Sequence, residues 1–110
     1  MSVLVRVINC TYGRPAVGVP VRLERDIDGA WVEQERDLTD DEGCISQLGN
    51  AGLARGIYRL EFDLDSYFFS LGIAPFYPAV SIRFRMTDPT RPCDISLLIT
   101  PSAYFTFQLQ

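Results

Sequence analysis

Few side chains in this sequence are equipped for chemistry, and the missing ones decide more than those present. The chain has 110 residues and no histidine. It therefore lacks the commonest general base, the commonest metal ligand and the side chain that changes charge near neutral pH. Its thiols are Cys10, Cys44 and Cys93. An odd count with no short paired spacing points away from a zinc site and a disulfide framework, and toward buried thiols in a reducing cytoplasm. Carboxylates cluster at Asp40, Asp41 and Glu42. The ligand spacing of a calcium loop is absent, so that segment reads as a solvated turn, and neither a metal nor a cofactor is expected. The cations are all arginine, form no basic run, and leave a net charge of −4. That balance argues against a nucleic-acid partner. No apolar run reaches the ~20 residues that span a bilayer, and the start lacks the pattern of a signal peptide, so no membrane partner is expected.

The elements that must position the remaining groups are strands. The end of the chain, Asp94 to Gln110, reads as a hairpin of two antiparallel strands turned at Thr100-Pro101-Ser102. Its first run is aliphatic and its second aromatic at alternate positions. Val3 to Asn9, Val17 to Arg25, Ala30 to Gln34, Ile57 to Phe62 and Ala79 to Met86 alternate as half-buried strands. A short strand opens at Gly43-Cys44-Ile45, and Asp28-Gly29 marks a hairpin turn. Asp65 to Gly72 is the one expected helix, capped by Asp65 or Ser66 and stopped by glycine. The expectation is a mainly β, two-sheet sandwich of about eight strands with one short helix, as a single domain over residues 1–110.

With the strands placed, a family likeness emerges. Gly13-Arg14-Pro15-Ala16 with Gly18-Val19-Pro20-Val21, then Thr39-Asp40 with Gly43, Gly56-Ile57-Tyr58-Arg59-Leu60, Pro75-Phe76-Tyr77-Pro78 and Leu97-Leu98-Ile99-Thr100-Pro101 follow one another in order. This series resembles the transthyretin-like family, and in particular its enzyme branch, 5-hydroxyisourate hydrolase. The resemblance implies a transthyretin-like sandwich assembled as a homotetramer, a dimer of dimers around a channel that holds ligand or active sites. It also implies four catalytic features that this chain replaces. Arg6 stands at the first catalytic histidine, Cys44 at the catalytic arginine and Asp94 at the second histidine. The Tyr-Arg-Gly-Ser ending becomes Phe107-Gln108-Leu109-Gln110. Hydrolysis by the family's mechanism is not expected of such a chain.

Strand periodicity puts Arg6 with Ile8 on one face, Asp94 with Ser96 and Leu98 on another, and Phe105 with Phe107 and Leu109 on a third. By the resemblance these faces line the channel. Mostly apolar walls with a few converging polar groups are the composition of a small-molecule site. The aromatic rings could equally fill the channel and seal the contact between dimers. Arg6 and Asp94 could pair and aim the guanidinium at a ligand, or form an interface bridge. Cys44 is either a thiol activated beside Arg6 or a small filler. Gln108 is a further candidate donor to a substrate carbonyl. Three functions stay open: a non-hydrolytic cyclase, cycloaddition catalyst or isomerase acting on an apolar substrate, a non-catalytic carrier, or an inactive hydrolase homologue.

Overall fold

The computed structural model describes residues 2–49 and 52–109. Met1, Asn50 and Ala51 of the connection before Gly56, and Gln110 of the terminal segment, lie outside the described residues. The strands are β1 (Val3–Asn9), β2 (Arg14–Pro15), β3 (Pro20–Ile27), β4 (Ala30–Leu38), β5 (Cys44–Leu48), β6 (Gly56–Asp63), β7 (Ala79–Met86), β8 (Cys93–Ile99) and β9 (Tyr104–Leu109). Helix α1 (Leu64–Phe69) joins β6 to β7.

Two sheets pack face to face. One runs β2-β1-β8-β9, with β5 also paired to β1, and the other runs β4-β3-β6-β7. Only β1 and β8 run parallel among these pairs, because the second sheet is built between them. The buried face of β1 is Val3, Val5 and Val7, and that of β8 is Ile95, Leu97 and Ile99. They meet Val21, Leu23, Tyr58, Leu60 and Phe62 from the opposite sheet. Strict alternation in β1 leaves Leu4, Arg6 and Ile8 on the outside.

The helix departs from expectation. It begins at Leu64, and its cap is Asp63, the last residue of β6, whose Oδ1 accepts from Ser66 N at 3.0 Å. Neither Asp65 nor Ser66 caps it. Leu64 opens the first turn with its apolar side chain buried in the core. Tyr67 and Phe68 fill the same side, and the Tyr67 hydroxyl accepts from Asn9 Nδ2 at 3.0 Å, tying the helix to the end of β1. A short strand, β2, is added by pairing Arg14 and Pro15 with Asn9 and Ile8.

The outer face of the second sheet is less solvated than its polar pattern suggests. A bulge at Leu23/Glu24 against β4 accompanies a Glu24 only 8% exposed. Arg59 holds it at 2.8 Å, and the same guanidinium lies 4.4 Å from the Trp31 ring centre. A buried carboxylate needs such a partner to remain charged.

Candidate functional site

Cross-strand register assembles the candidate residues on the outer face of the five-stranded sheet. One rung runs Cys44, Arg6, Ser96, Phe107. The next runs Ile8, Leu98, Phe105, and the one on the other side Leu4, Asp94, Leu109. Residues directly opposite across adjacent strands share a face, so the pairing alone brings together groups far apart in sequence. β9 supplies the apolar wall. Phe105 is 62% exposed, Phe107 36% and Leu109 41%, with the two rings 5.7 Å apart. Ser96 is buried between the Arg6 and Phe107 positions.

Gly43 fixes the placement of Cys44. Its φ is +74°, and a Cβ there would lie 2.5 Å from the Val7 carbonyl oxygen, which only glycine tolerates. The close approach lets Val7 N donate to Gly43 O at 2.8 Å, and Asp40 Oδ1 then receives Cys44 N at 3.0 Å. The acidic segment is thus a turn organised by its own carboxylate. The Cys44 thiol donates toward Glu42 O at 3.5 Å, a partner that suits S–H.

Arg6 and Asp94 do not pair within the protomer. The ion pairs among the described residues join Arg22 and Arg59 to Glu24, Arg59 to Glu61, and Arg36 to Glu33. Arg6 stands opposite Ser96, so Asp94 lies one rung away, and its Oδ1 is buried without a hydrogen-bond partner. Burial pushes the adjacent Cys93 thiol above its ordinary range, and the Asp94 charge adds to the effect. Gln108 is not on this face. Its rung-mate is Ile95, which is buried in the core, so period two turns Gln108 away from Phe107. It lines a cavity of about 190 Å³ between β7 and β9, with Ile82, Phe84 and Cys93, and Phe107 also reaches this cavity at its rim. Among the described residues no group of three or more His, Cys, Asp or Glu side chains is arranged to hold a metal, and no helix is long and apolar enough to cross a membrane.

A larger groove, about 570 Å³, lies at one end of the second sheet. Arg22, Arg36, Leu38, Glu61 and Asp63 line it from three strands. Its only sequence signal was outward-facing charge, and the convergence arises from the Arg22–Arg36 and Arg22–Glu61 pairings.

A family model described as the HIUase/Transthyretin family matches residues 3–108. The chain belongs to this family. It is 30% identical to 5-hydroxyisourate hydrolase of Halalkalibacterium halodurans over 97% of this chain and 96% of that protein. It is also 30% identical to 5-hydroxyisourate hydrolase of Salmonella typhimurium, over 94% of this chain and 77% of the relative. Among solved structures it superposes on sea bream transthyretin in complex with thyroxine with a TM-score of 0.90 at 26% identity, covering 99% of this chain and 95% of that one. Klebsiella pneumoniae 5-hydroxyisourate hydrolase shares the fold, with a TM-score of 0.89 at 22% identity over 99% and 98%.

Proposed function

We propose that this member of the HIUase/transthyretin family has been repurposed. It binds an apolar small molecule in a channel between the subunits of a homotetramer, and promotes a non-hydrolytic cyclisation, cycloaddition or isomerisation by holding that molecule in a reactive shape. The carrying observation is the exposed wall of Phe105, Phe107 and Leu109 beside Arg6, in a chain without histidine. Such reactions need no general base, and orientation alone contributes ~7–11 kcal/mol in favourable cases. Arg6 would hydrogen-bond a substrate oxygen as charge develops there.

The edges support the assembly. β7 and β9 each pair on one side only, and both border the same cavity. Exposed edges of this kind add strands from a second copy readily. The free thiols Cys10, Cys44 and Cys93 fit a reducing, cytoplasmic setting.

Incubating the purified protein with polyene or polyketide-like substrates tests the proposal. Accelerated conversion to a cyclised or isomerised product is expected. Tight binding with ligand recovered unchanged would establish the carrier reading, which is favoured by the thyroxine complex of the sea bream relative. Turnover of 5-hydroxyisourate at the rate of a histidine-bearing homologue would refute both.

A further inference from the structure

The groove at the end of the second sheet has a chemistry of its own, on the sheet opposite the wall of Phe105 and independent of it. Its volume of about 570 Å³ is that of a small-ligand site. Arg22 and Arg36 both line it and stand directly opposite each other on β3 and β4. Like charges so placed repel across the ladder. Their own carboxylates relieve this in part. Arg36 commits Nε and Nη2 to Glu33, at 3.0 and 2.6 Å, which leaves Nη1. The one ion pair of Arg22 among the described residues runs from Nε to Glu24 at 3.7 Å. Its terminal nitrogens are therefore unclaimed. Together the two guanidinium groups offer a fork to one carboxylate.

The other end of the groove is set against a ligand that is purely an anion. Arg22 stands opposite Glu61, which is held by Arg59 at 3.1 Å and by the Ser81 hydroxyl. Two residues further along β6 on the same face, Asp63 also lines the groove. Its Oδ1 accepts from Ser66 N, so its other oxygen remains for a cation. Adjacent strands lie about 4.8 Å apart and same-face residues about 6.6 Å apart along a strand, which puts the Arg22 and Asp63 Cα atoms roughly 8 Å apart. A chain linking the two charges passes over Pro20, beside Leu38, which is 57% exposed.

We infer that this groove binds a short zwitterion, an amino acid whose amine and carboxylate are separated by a few apolar carbons. The carboxylate lies in the fork of Arg22 and Arg36, the amine donates to Asp63, and the carbon chain covers Pro20 and Leu38.

Nuclear magnetic resonance titration of the isotope-labelled full chain with three probes tests it: 6-aminohexanoate, hexanoate and hexylamine. The zwitterion is expected to bind at least tenfold tighter than either singly charged probe, with amide shifts at Arg22, Arg36, Leu38 and Asp63. Arg22→Gln should reduce its affinity to that of hexylamine. Asp63→Asn keeps a competent helix cap and should reduce it to that of hexanoate. The ranking by the unsubstituted protein needs no variant to fold, and thermal melts of both variants check that they do. Equal binding of the three probes would overturn the inference, as would the absence of shifts at these residues with millimolar zwitterion. Shifts confined to β9 would also overturn it, by moving the probe to the other sheet.

Discussion

Replacing Phe105 with alanine separates an outward-facing ring from a core ring by magnitude. An aromatic side chain presents about 150–250 Å². At 62% exposure, roughly 95–155 Å² of Phe105 stays in water in the isolated protomer. Covering that area with ligand or a second copy is worth about 3 kcal/mol at 25 cal/mol per Å². Phe105→Ala should therefore weaken binding of anilinonaphthalene sulfonate by about a hundredfold at most, and by at least tenfold after the usual losses on association. Its effect on unfolding should stay below about 2 kcal/mol, since only the smaller part of the ring is buried in the protomer. Phe68→Ala is the internal standard. That ring, on the inner side of α1, is fully buried, and its loss should cost about 3–5 kcal/mol of stability. Fluorescence titration gives the first quantity and urea denaturation the second. An unchanged dye affinity for Phe105→Ala, with a destabilisation matching Phe68→Ala, would show that the ring serves its own subunit's interior, and the outer face would lose its claim to a ligand.

Asp63→Ala removes the helix cap and should lower stability by about 1 kcal/mol, or about 4 °C in the melting temperature. An unchanged melt would mean that packing of Leu64 and Phe68 alone holds α1. Gly43→Ala forces a side chain into a left-handed backbone against the Val7 carbonyl, so the unfolding free energy from urea denaturation should fall by more than the roughly 1–2 kcal/mol of the conformation itself. A midpoint within error of the parent would show that the turn before β5 adjusts freely. Timed alkylation at pH 8 followed by mass spectrometry should label exposed Cys10 first and Cys93 last. Because the folded-state pKa of Cys93 is raised, its contribution to stability is complete below the unfolded thiol value of about 8.5 and declines as pH rises beyond it. Cys93→Ala should flatten that alkaline decline, and an unaltered pH profile would assign the decline elsewhere.

The strands were readable because alternation is a local property. Val3, Val5 and Val7 alternate with Leu4, Arg6 and Ile8 in the sequence and in the sandwich alike. The same is true of Val80, Ile82, Phe84 and Met86 in β7, although Ile82 and Phe84 are only partly buried. Faces follow from a period of two without any knowledge of partners. That is why Phe105, Phe107 and Leu109 could be grouped in advance, and why Gln108 belonged on the opposite face.

Partnership is another matter, since it depends on register between segments far apart in the chain. The sequence by itself determined that the chain has no imidazole, that its strands are amphipathic, and that aromatic residues share one side of the last strand. Tertiary structure decided that Arg6 lies between Cys44 and Ser96, one rung from Asp94, and that of the two arrangements open to Arg6 and Asp94 a pair within the protomer does not form. It also decided that Glu24 is buried under Arg59 and that Asp63 caps the helix from the end of a strand. Which face a side chain takes is set by its immediate neighbours. Which groups meet on that face is set only when distant strands lock into a common ladder, because one residue of slip would exchange every contact across the sheet.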